Sequence, residues 1–278
     1  MSLMLKLSTI LALSASLMAA TDAEVISFLK KGIGGNPNIS NVQIEVSGKK
    51  NIPAMSGWQA YFMSIEADVK QGGDIRHINQ SATYFVNGNV IAPELINVKS
   101  GERYNDTVSP DFNSGFYTKS NRISGEANAT HKVAIFSDPL CPFCRRYVPE
   151  AIAYMAKYPK TFALYYYHFP LSSLHPAAVT LTKAAIAAEQ NGTENAVLSL
   201  YKVDVNANEK DDQKILNAFN KTFGTKIDLK DIRRSSVISQ FEFDQKVAQS
   251  MMVVGTPTVF FNGQKDASKN KYKEIKVK

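Results

Sequence analysis

The sequence predicts an α/β domain with a helical insertion over its second half, preceded by a small α+β module and a polar linker. Beyond residue 130 strand-like and helix-like segments alternate, whereas half-buried strand patterns dominate the first hundred residues. Between about 100 and 130, Gly, Ser, Asn, Asp and Thr displace the apolar periodicity. The chain has 278 residues, more than a typical domain of about 100–150, and 44% of them are hydrophobic, enough for ordinary cores. The expected division is 1–20 leader, 21–97 first module, 98–130 linker with one short ordered stretch, and 131–278 second domain.

The leader follows from Lys6, the apolar run from Leu7 to Leu17, and Met18-Ala19-Ala20-Thr21-Asp22-Ala23 behind it. One basic residue, an apolar core of about a dozen residues and small residues at its end describe a secretory signal peptide. Cleavage is expected after Ala19, Ala20 or Ala23. The run is shorter than the roughly twenty apolar residues of a membrane span. An exported chain meets an oxidising compartment. The net charge of +7 is uneven, with six lysines in the last fourteen residues. Only Tyr272 interleaves them, so a solvated terminus is expected rather than a nucleic-acid surface.

In the first module Val25, Phe28 and Leu29 recur at helical spacing. Tyr61, Met63, Ile65, Ala67 and Val69 alternate with polar residues as a half-buried strand does. Thr83 to Ile91 reads as a hairpin about an Asn87-Gly88 type I′ turn. Trp58, Tyr61, Tyr84 and Phe85 are expected in a core or interface. In the second domain a strand ends near Phe136, a helix runs from Arg146 to Lys157, and Phe162 to Phe169 fits a buried central strand. Pro176 opens an alanine-rich helix that stops before Gly192. Further helices are expected near 193–204, 211–223 and 229–251, with Asp211 and Asp228 as N-caps and Gly224 as a stop. Gly255-Thr256-Pro257-Thr258 then enters a strand and a second hairpin.

The two cysteines of the chain, Cys141 and Cys144, lie in Asp138-Pro139-Leu140-Cys141-Pro142-Phe143-Cys144 between a strand and a helix. A cysteine at a helix start sits beside unpaired N–H groups and the positive end of the helix dipole, which stabilises thiolate. A second cysteine one turn on can close a disulfide with it, so the pattern points to thiol–disulfide exchange. A structural staple, a zinc site and two free thiols are the competing readings. So short a loop stabilises by only roughly 2 kcal/mol before strain. Zinc needs two more ligands, and the six residues between His168 and His175 exceed the usual histidine spacing.

Cys141-Pro142-Phe143-Cys144 together with Gly255-Thr256-Pro257-Thr258 resembles the thioredoxin fold. With the helical insertion and the leader, the chain is similar to the periplasmic thiol:disulfide interchange (Dsb) proteins over roughly residues 130–265. The first module is similar in architecture to the small α+β (cystatin-like) dimerisation domain of DsbC and DsbG. The resemblance implies an α/β thioredoxin-like catalytic domain, Cys141 as exposed nucleophile and Cys144 as buried resolving thiol. It implies Pro257 as a cis-proline facing them and Thr256 as the residue whose backbone pairs with substrate. The resemblance also implies that Pro142 and Phe143 tune the potential. Thr256 resembles the isomerase and reductase members; an oxidase that introduces disulfides, and a chaperone with secondary redox activity, are the alternatives. No cofactor or metal is implied. The implied partners are misfolded or mis-disulfided exported proteins, a second copy of the chain through residues 24–95, and a membrane reductant of the DsbD type, or a DsbB-type oxidase in the alternative.

Among other polar residues, Asp138 could influence the proton affinity of Cys141 or cap the turn. His168 reads as a buried, satisfied histidine and His175 as a cap; neither is assigned a catalytic task. Arg145 and Arg146 would add positive potential near the thiolate, and Glu189 has no visible partner. Fifteen residues follow Gly263, so the last helix is expected short or missing, or Tyr272 to Val277 forms a strand instead.

Overall fold

The computed structural model describes residues 19–277; the leader expected over 1–20 lies outside them as far as Met18. Helix α1 (Asp22–Gly34) starts at a capping box, in which Thr21 accepts from Glu24 N and Glu24 accepts from Thr21 N. It packs on an antiparallel sheet of β1 (Ile39–Asn51), β2 (Gln59–Gln71), β3 (Asp74–Asn87) and β4 (Val90–Ala92), in that order. Gly72 and Gly73 both take positive φ between Gln71 and Asp74, as a type I′ two-residue turn requires. The β3–β4 turn falls one residue later than expected: Asn87 pairs with Val90, and of the central residues Gly88 and Asn89 only Gly88 has positive φ. That is the pattern of a II′ turn rather than I′.

Val25 and Leu29 bury against Ile44, Tyr61, Met63 and Val86 on one sheet face. Phe28 departs from the helical-spacing expectation: it is 62% exposed, lining an open cavity with Val86, Val90 and Ile91 at the sheet's end. The other face is also covered at one end. Ala60, Phe62 and Phe85 pack with Tyr104 and with Met252 from the far half of the chain. The two halves are further joined by Lys50, which pairs with Asp111 at 2.7 Å, and by Ser81, whose hydroxyl donates to Gln249 O at 3.0 Å.

Residues 98–130, expected as a linker, carry α2 (Tyr104–Thr107), a 3-10 turn (Ser114–Phe116) and β5 (Arg122–Ser124). The second half of this segment is part of the following domain, so a boundary at 131 is too late. Phe112 is buried among Phe136, Tyr167 and Phe260, and β5 pairs with β7. The polar composition hid this because single aromatic anchors, rather than a periodic stripe, hold the segment down.

The second sheet runs β5-β7-β6-β8-β9, with β6 (His131–Ser137), β7 (Phe162–His168), β8 (Thr258–Phe261) and β9 (Gln264–Lys265). β6 and β7 are parallel, joined over α3 (Pro142–Met155), and the other pairings are antiparallel. Every residue of β7 is buried, as its apolar run predicts. Side chains alternate between a core under α3 (Val133, Ile135, Leu164, Tyr166) and one under α7 (Ala134, Phe136, Ala163, Tyr165).

The insertion consists of α4 (Ala177–Gln190), α5 (Ala196–Leu200), α6 (Asp212–Phe223) and α7 (Ser235–Ser250). Asp211 caps α6 through Gln213 N and Lys214 N, and Gly224 ends it at φ 66°. The helix expected over 229–251 is instead a 3-10 turn (Asp231–Arg233), a break at Arg234 and then α7; Asp228 caps the turn by accepting from Lys230 N and Asp231 N. The chain closes on one turn, α8 (Lys271–Glu274), whose Tyr272 is 1% exposed against Tyr147 and Tyr154.

Candidate redox site

The β6–α3 junction places the two cysteines. Cys141 is the N-cap of α3 with extended backbone, and Pro142 occupies the first helical position, where its missing N–H costs nothing. Cys144 follows one turn in and is completely buried. No disulfide joins the two sulfurs in this structure. Burial pushes the Cys144 thiol up to about 12. At neutral pH Cys144 therefore carries its proton.

Cys141 was expected exposed, yet it is only 5% exposed. The reason is the 254–257 segment lying over it: the Cys141 thiol donates to the carbonyl of Thr256 at 3.6 Å. The Thr256–Pro257 peptide bond is cis. Phe143 is 63% exposed, with the Arg146 guanidinium 5.3 Å from its ring centroid. Together with Tyr147, Pro257 and Lys269 they line a groove beside the cysteines. Cys141, Cys144, Pro142, Phe143, Thr256 and Pro257 thus converge on one place, although 115 residues separate Cys141 from Thr256.

Arg145, unlike Arg146, is engaged inward. It donates to Pro139 O at 3.0 Å and Val203 O at 2.8 Å, tying the redox turn to the insertion. Behind Cys144, Ser137 is hydrogen-bonded to Tyr201 at 2.7 Å, and Tyr201 to Tyr166 at 2.7 Å. Sequence reasoning missed this buried hydroxyl row, which joins β6, β7 and the insertion across spans no local pattern reports. It also missed the partnership of Asp138 and His175, described below.

His168, opposite Ser137 in the β6–β7 pairing, is buried as expected, but among the described residues its Nδ1 has no hydrogen-bond partner, and burial holds the ring down at about 3. Burial pushes Glu189 up to about 7. Among the described residues, no group of three His, Cys, Asp or Glu side chains is placed to hold a metal ion. No helix among them is long and apolar enough to cross a membrane.

Three solved structures illustrate the similarity. A thioredoxin-like oxidoreductase from Silicibacter pomeroyi is 20% identical, with 58% of this chain and 96% of that one covered at a TM-score of 0.44. BdbD from Bacillus subtilis is 18% identical over 61% and 95% at 0.47, and ScsC from Proteus mirabilis 16% identical over 55% and 73% at 0.44. No curated protein matches the chain. Residues 117–277 match the thioredoxin family, a span that begins just before β5 and includes both cysteines and the Thr256–Pro257 bond, and on that match the chain belongs to the thioredoxin family.

Proposed function

We propose that the protein is an exported thiol:disulfide oxidoreductase that acts on protein disulfides, working in the periplasm as an isomerase or reductase. The supporting observation is Cys141 at a helix N-cap, opposite the Thr256 carbonyl, with a fully buried thiol one turn behind it.

The Cys141 thiolate attacks one sulfur of a client disulfide. The client S–S bond breaks, a Cys141–client disulfide forms, and the other client sulfur leaves as thiolate and takes up a proton. Cys144 then attacks the Cys141 sulfur; the Cys141–client bond breaks, the Cys141–Cys144 disulfide forms, the Cys144 proton passes to the leaving client sulfur, and the client is released reduced by two electrons. Alternatively a client thiolate attacks the client sulfur of the mixed disulfide, which returns Cys141 as thiolate and leaves the client rearranged. The backbone of Thr256 offers an extended client segment a hydrogen-bonding edge.

A homodimer through residues 24–95 belongs to this reading. The sheet supports it, because among the described residues β4 pairs with Phe85–Asn87 of β3 and the rest of that strand edge has no further strand paired to it. Regeneration falls to a membrane reductant of the DsbD type. The test is the redox form of Cys141 and Cys144 in cells, read by acid quenching and alkylation with a mass tag. A mostly reduced pair is expected; a mostly oxidised pair would overturn the isomerase and reductase reading in favour of an oxidase recharged by a DsbB-type partner.

A further inference from the structure

Asp138 is completely buried three residues before Cys141, and both of its carboxylate oxygens are engaged. Oδ1 accepts from Leu140 N at 2.7 Å and from Cys141 N at 3.2 Å. Oδ2 accepts from Leu171 N at 2.7 Å and meets Nδ1 of His175 at 2.9 Å. Two of these donors belong to the redox turn and two to the loop that follows β7. His175 is itself held by its backbone N–H, which donates to Leu171 O at 2.7 Å. One carboxylate therefore fastens the backbone of Cys141 to a residue 34 positions further on, and the imidazole, 17% exposed, is the solvent-facing end of the joint.

A buried carboxylate needs donors in place of water. An anion this near Cys141 also opposes a second negative charge on the sulfur, since like charges disfavour each other's ionised form. A hydrogen bond from imidazole to a carboxylate disperses that charge. On the other side of the turn, Arg145 fixes Pro139 O, so the loop has no slack with which to turn the carboxylate elsewhere.

We propose that Asp138 and His175 are a positioning pair for Cys141. The carboxylate orients the N-cap turn through the Cys141 N–H, and His175 disperses the charge that would otherwise hinder thiolate formation. The inference rests on the redox reading above, and its test separates the two.

The full-length protein is compared with His175→Ala, His175→Gln and Asp138→Asn. Thiolate absorbance against pH reports ionisation of Cys141, and equilibration with glutathione reports the stability of the disulfide. His175→Ala is expected to raise the Cys141 pKa by about one unit and to move the glutathione equilibrium about tenfold toward the disulfide, about 30 mV for a two-electron couple. His175→Gln, whose amide N–H can still reach Oδ2, is expected to stay within about threefold of wild type. Asp138→Asn is expected to lower the Cys141 pKa. Should it fail to fold, the two variants at the partly exposed His175 decide alone. Wild-type titration and potential in His175→Ala, even with a lowered melting temperature, would overturn the proposal, as would equal shifts in the alanine and glutamine variants. A wild-type protein that forms no disulfide with glutathione would instead overturn the redox reading, and this inference with it.

Discussion

Asn121 donates through Nδ2 to Oδ1 of Asp244 at 2.7 Å, deep in the protein and 123 residues apart in sequence. The same carboxylate accepts from Gln240 Nε2 at 2.9 Å and from His168 N at 3.0 Å. It thereby joins the segment before β5 to α7 and to the end of β7. Burial pushes Asp244 up to about 7, with the Asn121, His168 and Gln240 hydrogen bonds pulling the other way. An unfolded aspartate titrates near about 3.9. Between about 4 and 7 the folded chain keeps a proton that the unfolded chain gives up, so stability falls as pH rises through that window and levels off above it. Glu189, raised by burial to about 7, adds a change of the same sign, and His168, held down at about 3, offsets part of the two below its unfolded value of about 6.5. The urea midpoint is expected to be lower at pH 7.5 than at pH 5. Asp244→Asn should lower stability overall yet flatten the dependence, and an undiminished pH slope in that variant would count against this assignment.

The placement of Phe112 makes the domain boundary testable. Its ring sits 5.4 Å from Phe260 and 5.8 Å from Tyr167. Phe112→Ala is expected to cost about 3–5 kcal/mol, as large-to-small changes of buried aromatics do. A chain starting at residue 109 is expected to unfold cooperatively, whereas one starting at 131 lacks β5 and this anchor. Circular dichroism melts of the two truncations check this; equal melting would restore the linker.

Gly125 follows β5 at φ 80°, and a Cβ there would lie 1.8 Å from the carbonyl oxygen of Phe162. Neither the angle nor the space admits a side chain. Gly125→Ala is expected to destabilise by more than about 3 kcal/mol, in the range reserved for backbone strain and core clashes. A denaturant titration showing a loss below 1 kcal/mol, on the scale of an ordinary surface change, would mean that β5 can detach freely.

The burial of Cys144 predicts different fates for the two sulfurs. With the thiol pushed up to about 12, folded Cys141→Ser protein should react with iodoacetamide at pH 7 at least about a thousandfold more slowly than a free cysteine of pKa about 8.5. Cys144→Ser should accumulate a mixed disulfide with an unfolded client, visible on a non-reducing gel, because the resolving thiol is gone. Rapid alkylation of Cys144 would show that it is not shielded.

The redox turn, its helix, the Thr256-Pro257 strand entrance, the insertion helix with its Asp211 and Gly224 ends, and the buried β7 were legible along the chain. Each is written in local chemistry: a cap, a proline, a glycine free to take positive φ, or an uninterrupted apolar run. Pairings were not. Asp138 could be seen to lie near Cys141, but only the fold brings His175 to its second oxygen. Asn121 and Ser137 look like ordinary loop and strand-end residues until Asp244 and Tyr201 arrive from distant elements. Phe28, apolar and correctly spaced, turned out exposed, while Phe62 was buried by Met252 from the other half of the chain. Local sequence determined which segments became helix, strand and redox turn, because backbone propensity and capping act within a few residues. Tertiary structure decided which buried polar groups share a partner and how far Cys141 is covered, because a group removed from water takes its hydrogen bond from whatever the fold places beside it.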